Sequence, residues 1–254
     1  MVKRTQPWKV IKNHAFSRLD GRLSRERATP PAFRHVTDMY ADWFKRICGL
    51  ALPPDLRTPF ISIPAAWTNW AEKRFPMNWS RWDGTGPCRR VFINPYAKDK
   101  KRCWPLPVVY RYLSELRKRD IWSASQFIIN SPPETVKRAA AFFRDHPVDG
   151  LVVFTARENF FQLPAVLSRC DFVVSVETSV MHLAASLHVP TLALMRQENP
   201  EWAPWNKACC VVITCQAPRD WIADIGAEEV VVATQAFCDR HPTLSCPSAS
   251  ESNP

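Results

Sequence analysis

From residue 89 onward the chain repeats one pattern: a short apolar run, a polar or turn-forming break, then apolar residues at helical spacing. The apolar runs are RRVFIN (89–94), SQFIIN (125–130), GLVVF (150–154), FVVSV (172–176), TLALM (191–195) and CCVVIT (209–214). Runs of this length, apolar on successive residues rather than on alternate ones, predict strands buried on both faces. Between them, helices are predicted at 105–119, at 134–145 after Pro133, near 162–169, at 179–187 and at 227–238. Strands alternating with helices imply right-handed βαβ units, and hence a Rossmann-like, doubly wound α/β domain with a parallel sheet.

The first third of the chain lacks this alternation. Val36, Met39, Tyr40, Trp43, Phe44 and Ile47 recur at helical spacing over 36–49, with Thr37 as the expected N-cap and Gly49 as the stop. Residues 51–88 are rich in proline and tryptophan and predict a loop-rich connector with a short helix near 66–74. Tryptophans interleaved with Lys73, Arg74 and Arg81 suit either stacking on nucleic-acid bases or packing onto a domain, and packing is the expected use. The organisation expected is therefore a basic segment and helix (1–50), the connector (51–88), the Rossmann-like domain (89–240) and a polar, disordered tail (241–254).

Composition adds charge to this outline. The 254 residues carry a formal net charge of +10. Nine cations precede residue 35 against only Asp20 and Glu26, a block suited to an anionic partner such as a phosphorylated substrate, a lipid surface or nucleic acid. No apolar stretch is long enough to span a bilayer, since 172–195 is broken by Glu177, His182 and His188. The basic start has no secretory apolar core, so a cytoplasmic protein is expected. The nine cysteines contain no C-x-x-C pair, so reduced thiols are expected and no metal or other cofactor is implied.

Ligands of open parallel sheets bind beyond the carboxyl ends of the strands. There the sequence places Asn94 and, a few residues on, Lys98, Lys100, Lys101 and Arg102; Asn130 and Glu134; Arg157 and Glu158; Glu177, Thr178 and Ser179; and Arg196. Four cations after the first strand and a helix opening at Thr178-Ser179 together suit a diphosphate. No glycine-rich phosphate loop is present, and the chain has only six glycines. A solvated basic loop and a simple N-cap fit the same residues, and on these grounds alone the two readings are not separated. His182, one turn into that helix, suits a phosphate contact, a brace for Glu177, or plain packing.

The stretch VETSVMHLAASLHVPTLAL resembles the donor-binding signature of the ADP-heptose:lipopolysaccharide heptosyltransferases, glycosyltransferase family 9. INPYAKDKKRCWP, FFQLPAVLSRCDFVVS and NPEWAPWN resemble other family blocks and occur in the family's order, so the likeness covers roughly 89–238. The resemblance implies the C-terminal half of a GT-B enzyme, which holds the nucleotide sugar beside a cleft between two Rossmann-like domains. It implies that Lys98, Lys101, Arg102, Glu134, Glu177, Thr178, Ser179 and His182 bind an ADP-heptose donor. Thr178 and Ser179 with the adjoining backbone N–H would take the pyrophosphate, and Glu134 the ribose. Arg102 stands for the usual lysine, Glu177 for the usual aspartate and Ser179 for the usual glycine.

The same resemblance implies an N-terminal acceptor domain whose aspartate acts as general base. Residues 13–49 resemble only the end of that domain, so a truncated N-terminal part is expected, and no general base is identified; Asp20 and Asp38 have no supporting context. Two functions follow. One is transfer of heptose from an ADP-sugar to a lipid-linked inner-core oligosaccharide of lipopolysaccharide, with the basic segment resting on the anionic inner membrane. The other is a non-catalytic nucleotide-diphosphate-binding remnant. Nucleic-acid binding ranks below both.

Overall fold

Six strands form as the apolar runs predict: β1 (Arg90–Asn94), β2 (Gln126–Asn130), β3 (Leu151–Phe154), β4 (Phe172–Val176), β5 (Thr191–Met195) and β6 (Cys210–Thr214). In this computed structural model the described residues are 35–57, 59–75, 89–197, 200–205, 210–215 and 219–240. The basic block 1–34, the connector beyond residue 75 and the tail 241–254 lie outside them. All six strands are parallel, in the order β3-β2-β1-β4-β5-β6. The winding direction reverses between β1 and β4, and there the chain leaves the sheet towards opposite faces, opening a crevice beyond their carboxyl ends.

The helices are α1 (Val36–Cys48), α2 (Ala65–Arg74), α3 (Leu106–Arg117), α4 (Asp120–Ser123), α5 (Val136–Asp145), α6 (Gln162–Leu167), α7 (Ser179–Ser186) and α8 (Ala227–Arg240). Alternate strand residues sort the core into two layers. Val91, Ile93, Phe127, Ile129, Phe172 and Val174 face one side, covered by α3, α4, α5 and α8. Phe92, Ile128 and Val173 face the other, covered by α2, α6 and α7. The doubly wound sheet is thus buried on both faces, as its uninterrupted apolar strands require.

The helix predicted near 66–74 is α2, and it completes the second layer. Ala71 is buried there and Phe75, its C-cap, packs edge-on against Phe154. Glu72 of α2 pairs with Arg90 and Arg169, which ties the helix to the amino end of β1 and to the turn before β4.

Two local expectations change. Thr37 is not the N-cap of α1: His35 is, and its ring nitrogen accepts from the Thr37 backbone N–H at 3.0 Å. The other ring nitrogen lies 2.7 Å from the Ala203 carbonyl, so a distant loop fixes the capping ring in place. Gly49 does close α1, in the left-handed conformation (φ 70°) that favours glycine. The long helix predicted over 105–119 ends at Arg117, and the four-residue α4 follows it. Asp38 of α1 is ion-paired to Arg57 at 2.9 Å.

Candidate functional site

β1 and β4 bring Asn94 and Thr178 together at the reversal point. Asn94 is 2% exposed, and its side-chain amide donates to the Thr178 hydroxyl at 2.9 Å and to the Ser175 hydroxyl at 3.1 Å. Its carbonyl oxygen accepts from the Asn130 amide at 2.8 Å. One buried asparagine therefore links the ends of three adjacent strands.

Thr178 is the N-cap of α7. Its hydroxyl accepts from Asn94 and from the Val180 N–H at 3.3 Å, and lies 3.3 Å from the Val176 carbonyl, to which it donates. A hydroxyl has one proton and two lone pairs, so these bonds use all of its capacity. What this arrangement offers an anion is the positive end of an eight-residue helix, with Ser179 exposed at its first position.

The loop after β1 is held shut from within. The Asp99 side chain accepts from the Lys101 N–H at 3.0 Å, and Cys103 Sγ lies 3.3 Å from both the N–H and the carbonyl oxygen of Ala97. The Trp104 N–H donates to the Pro95 carbonyl at 2.8 Å, while its indole N–H donates to the Ile225 carbonyl at 3.0 Å from a fully packed position. Lys98, Lys100 and Lys101 stand exposed on this loop. Arg102 turns inward, and its guanidinium donates to the Glu177 carbonyl at 3.3 Å and lies 3.8 Å from Glu177 Oε1.

Glu177 is buried, and a buried carboxylate needs compensation. Arg196, the residue after β5, supplies it: its guanidinium Nε is 3.5 Å from Glu177 Oε2 and its backbone N–H donates to the same oxygen at 3.4 Å. The bracing considered for His182 thus falls to Arg102 and Arg196. His182 makes no hydrogen bond among the described residues. Its pKa is lowered, first by burial and then by the nearby His35. The sign of the consequence is fixed: the unfolded chain takes up a proton near the ordinary pKa of about 6.5, the folded one only at lower pH. Stability contributed by neutral His182 is full above that range and declines as pH falls through it. Substituting His182→Asn should narrow the gap between melting temperatures measured at pH 7.5 and 5.5.

Of the remaining candidates, Glu134 is exposed in the turn after β2, and no hydrogen bond or ion pair joins it to the other site residues among the described residues. Lys98 and Lys101 are likewise unlinked to Glu177 and Thr178. Sequence reading placed Asn94 and Arg196 at strand ends without giving them roles. It passed over Gln162, which is buried at the start of α6 and accepts from the N–H groups of Arg157 and Glu158 at 2.9 and 3.0 Å, fixing the loop after β3. Its signal was a glutamine in the otherwise apolar stretch QLPAVL.

Residues 85–220 match glycosyltransferase family 9 (heptosyltransferase), more than half of the chain. The chain belongs to this family. Every candidate residue lies inside the family 9 segment. No curated protein matches the chain. Among solved structures, the family 9 glycosyltransferase of Veillonella parvula is 17% identical with a TM-score of 0.64, over 83% of this chain and 62% of that one. The E. coli ADP-heptose lipopolysaccharide heptosyltransferase II is 15% identical with a TM-score of 0.60, over 75% of this chain and 56% of its own. The E. coli heptosyltransferase WaaC with ADP-2-deoxy-2-fluoro heptose is 17% identical with a TM-score of 0.55, over 81% and 57%. These likenesses share the α/β fold of family 9 glycosyltransferases, and the chain spans between half and two thirds of each solved relative.

Proposed function

We propose that residues 89–240 are the donor-binding half of a heptosyltransferase-type glycosyltransferase, which takes an ADP-sugar and transfers its heptose to the inner core of lipopolysaccharide. The observation that carries this reading is the convergence, at the reversal point of the sheet, of the α7 N-terminus with Arg102 on a loop bearing three further lysines. Breaking the bond between a sugar and a nucleoside diphosphate leaves charge on the departing phosphate. Cationic donors and helix N–H groups already in place lower the cost of that charge. Arg102 and the Ser179 end of α7 would meet the phosphates, Lys98 and Lys101 would draw the dianion in, and Glu134 would accept from the ribose hydroxyls. Thr178 acts by holding the helix end in position, and His182 lies one turn behind it. The acceptor, a lipid-linked core oligosaccharide, would be met at the cytoplasmic face of the inner membrane, where the basic 1–34 segment suits anionic lipid. No described helix is long and apolar enough to cross a membrane.

A second reading, a nucleotide-diphosphate-binding protein without turnover, draws on the lack of an assigned general base among the described residues. Calorimetric titration with ADP and UDP tests the shared claim, and ADP release from ADP-heptose in the presence of acceptor separates the two readings. ADP is expected to bind saturably and more tightly than UDP. Ser179→Asp should weaken ADP by at least about tenfold without loss of melting temperature, because an acid at a helix start stabilises the helix while repelling phosphate. A folded chain that binds neither nucleotide would overturn the site.

A further inference from the structure

We infer that Arg196 is a positioning residue for the anion site: it offsets the charge of Glu177, so that Arg102 stays available to a phosphate. The inference rests on the donor-site reading above and concerns how that site is kept cationic.

Glu177 carries its charge at the mouth of a site proposed to bind an anion, with its side chain only 7% exposed. An ion pair can form with either arginine, and the geometry divides the carboxylate unequally. Oε2 accepts one hydrogen bond from the Arg196 backbone N–H at 3.4 Å and lies 3.5 Å from the Arg196 guanidinium Nε, an ion-pair contact without a hydrogen bond. Oε1 faces Arg102 across 3.8 Å, beyond hydrogen-bond reach, and the firmer tie of Arg102 is to the Glu177 backbone carbonyl. Arg196 is the more buried of the two, with 14% of its side chain exposed against 30% for Arg102. A carboxylate and a guanidinium left to themselves close into a two-point pair. Here Arg196 keeps Glu177 from doing that to Arg102.

Without Arg196 the balance reverses. Glu177 would draw Arg102 into a tight pair, and the local charge of the three groups would fall from +1 to zero. Neutralising the acid as well should undo the damage, a rescue that a purely structural role for Arg196 does not predict.

The experiment is ADP titration of the full chain in wild-type, Arg102→Ala, Arg196→Gln, Arg196→Lys and Arg196→Gln/Glu177→Gln forms, with the melting temperature of each recorded. Arg196→Gln is expected to weaken ADP by about tenfold, Arg196→Lys by less, and the double variant to recover to within about threefold of wild type. If Arg102→Ala loses ADP while Arg196→Gln stays within twofold of wild type, the positioning role is wrong and the donor site stands. A double variant that is folded and no better than Arg196→Gln also overturns the role. If wild type does not bind ADP, the donor-site reading fails and this inference falls with it. Should Arg196→Gln not fold, Arg196→Lys with and without Glu177→Gln gives the same comparison.

Discussion

Replacing Trp104 with alanine is expected to lower the unfolding free energy by about 3–5 kcal/mol, a large share of what a single domain has. The indole is fully packed against the sheet and Tyr112 of α3, with ring centroids 5.5 Å apart. Its N–H caps the Ile225 carbonyl just before α8, and its backbone N–H closes the β1 loop onto Pro95. The substitution opens a cavity, strands a carbonyl and frees one end of the loop that carries Arg102. Urea denaturation should show the midpoint falling sharply, and ADP affinity should fall with it even at temperatures where the variant is folded. Trp104→Phe separates the two contributions, since it keeps most of the ring volume and loses only the N–H; about 1–2 kcal/mol is expected. A Trp104→Ala protein as stable as wild type would mean that the loop is not anchored through this residue.

Asn94→Ala should have the second largest effect. Asn94 is almost fully buried and serves Thr178, Ser175 and Asn130 at once. Alanine leaves these groups without that partner and a void at the switch point, at about 1–3 kcal/mol for each buried polar group stranded. Ser175 and Thr178 keep their bonds to the Val176 carbonyl, which holds the total nearer the low end of that sum. The Thr178 hydroxyl would lose one of its three bonds, and the cap of α7 would loosen. Thermal melting and ADP titration should both respond. Thr178→Ala, which removes the cap but leaves the asparagine, should cost only about 1 kcal/mol.

The sheet was legible in the sequence because its strands are buried on both faces. β4 and β5 begin and end where their apolar runs do, and β1, β2, β3 and β6 each start one residue inside theirs. Local chemistry was less reliable. His35 caps α1 because a loop near residue 203 holds its ring, a dependence across 168 positions that no local rule carries. α4 is a single turn, too short for periodicity to register. At the site, sequence spacing set Thr178 at a helix start and Arg102 near a strand end, and both positions hold. Their partners were hidden for a physical reason: Asn94 meets Thr178 from 84 residues away and Arg196 meets Glu177 from 19 residues away, through parallel strands that align their carboxyl ends.

The helix Ala65–Arg74 also bears on where this protein can be divided. The similarity to family 9 begins at residue 85 and the sheet at residue 90, so either would be a natural place to cut. A piece starting there would lose the lid over Phe92 and Phe154 and leave Arg90 and Arg169 without Glu72. It would present a wet aromatic face and be expected to self-associate and precipitate. The unit that folds starts upstream of the unit that is recognisable by descent, and recombinant fragments meant for titration should include residue 65.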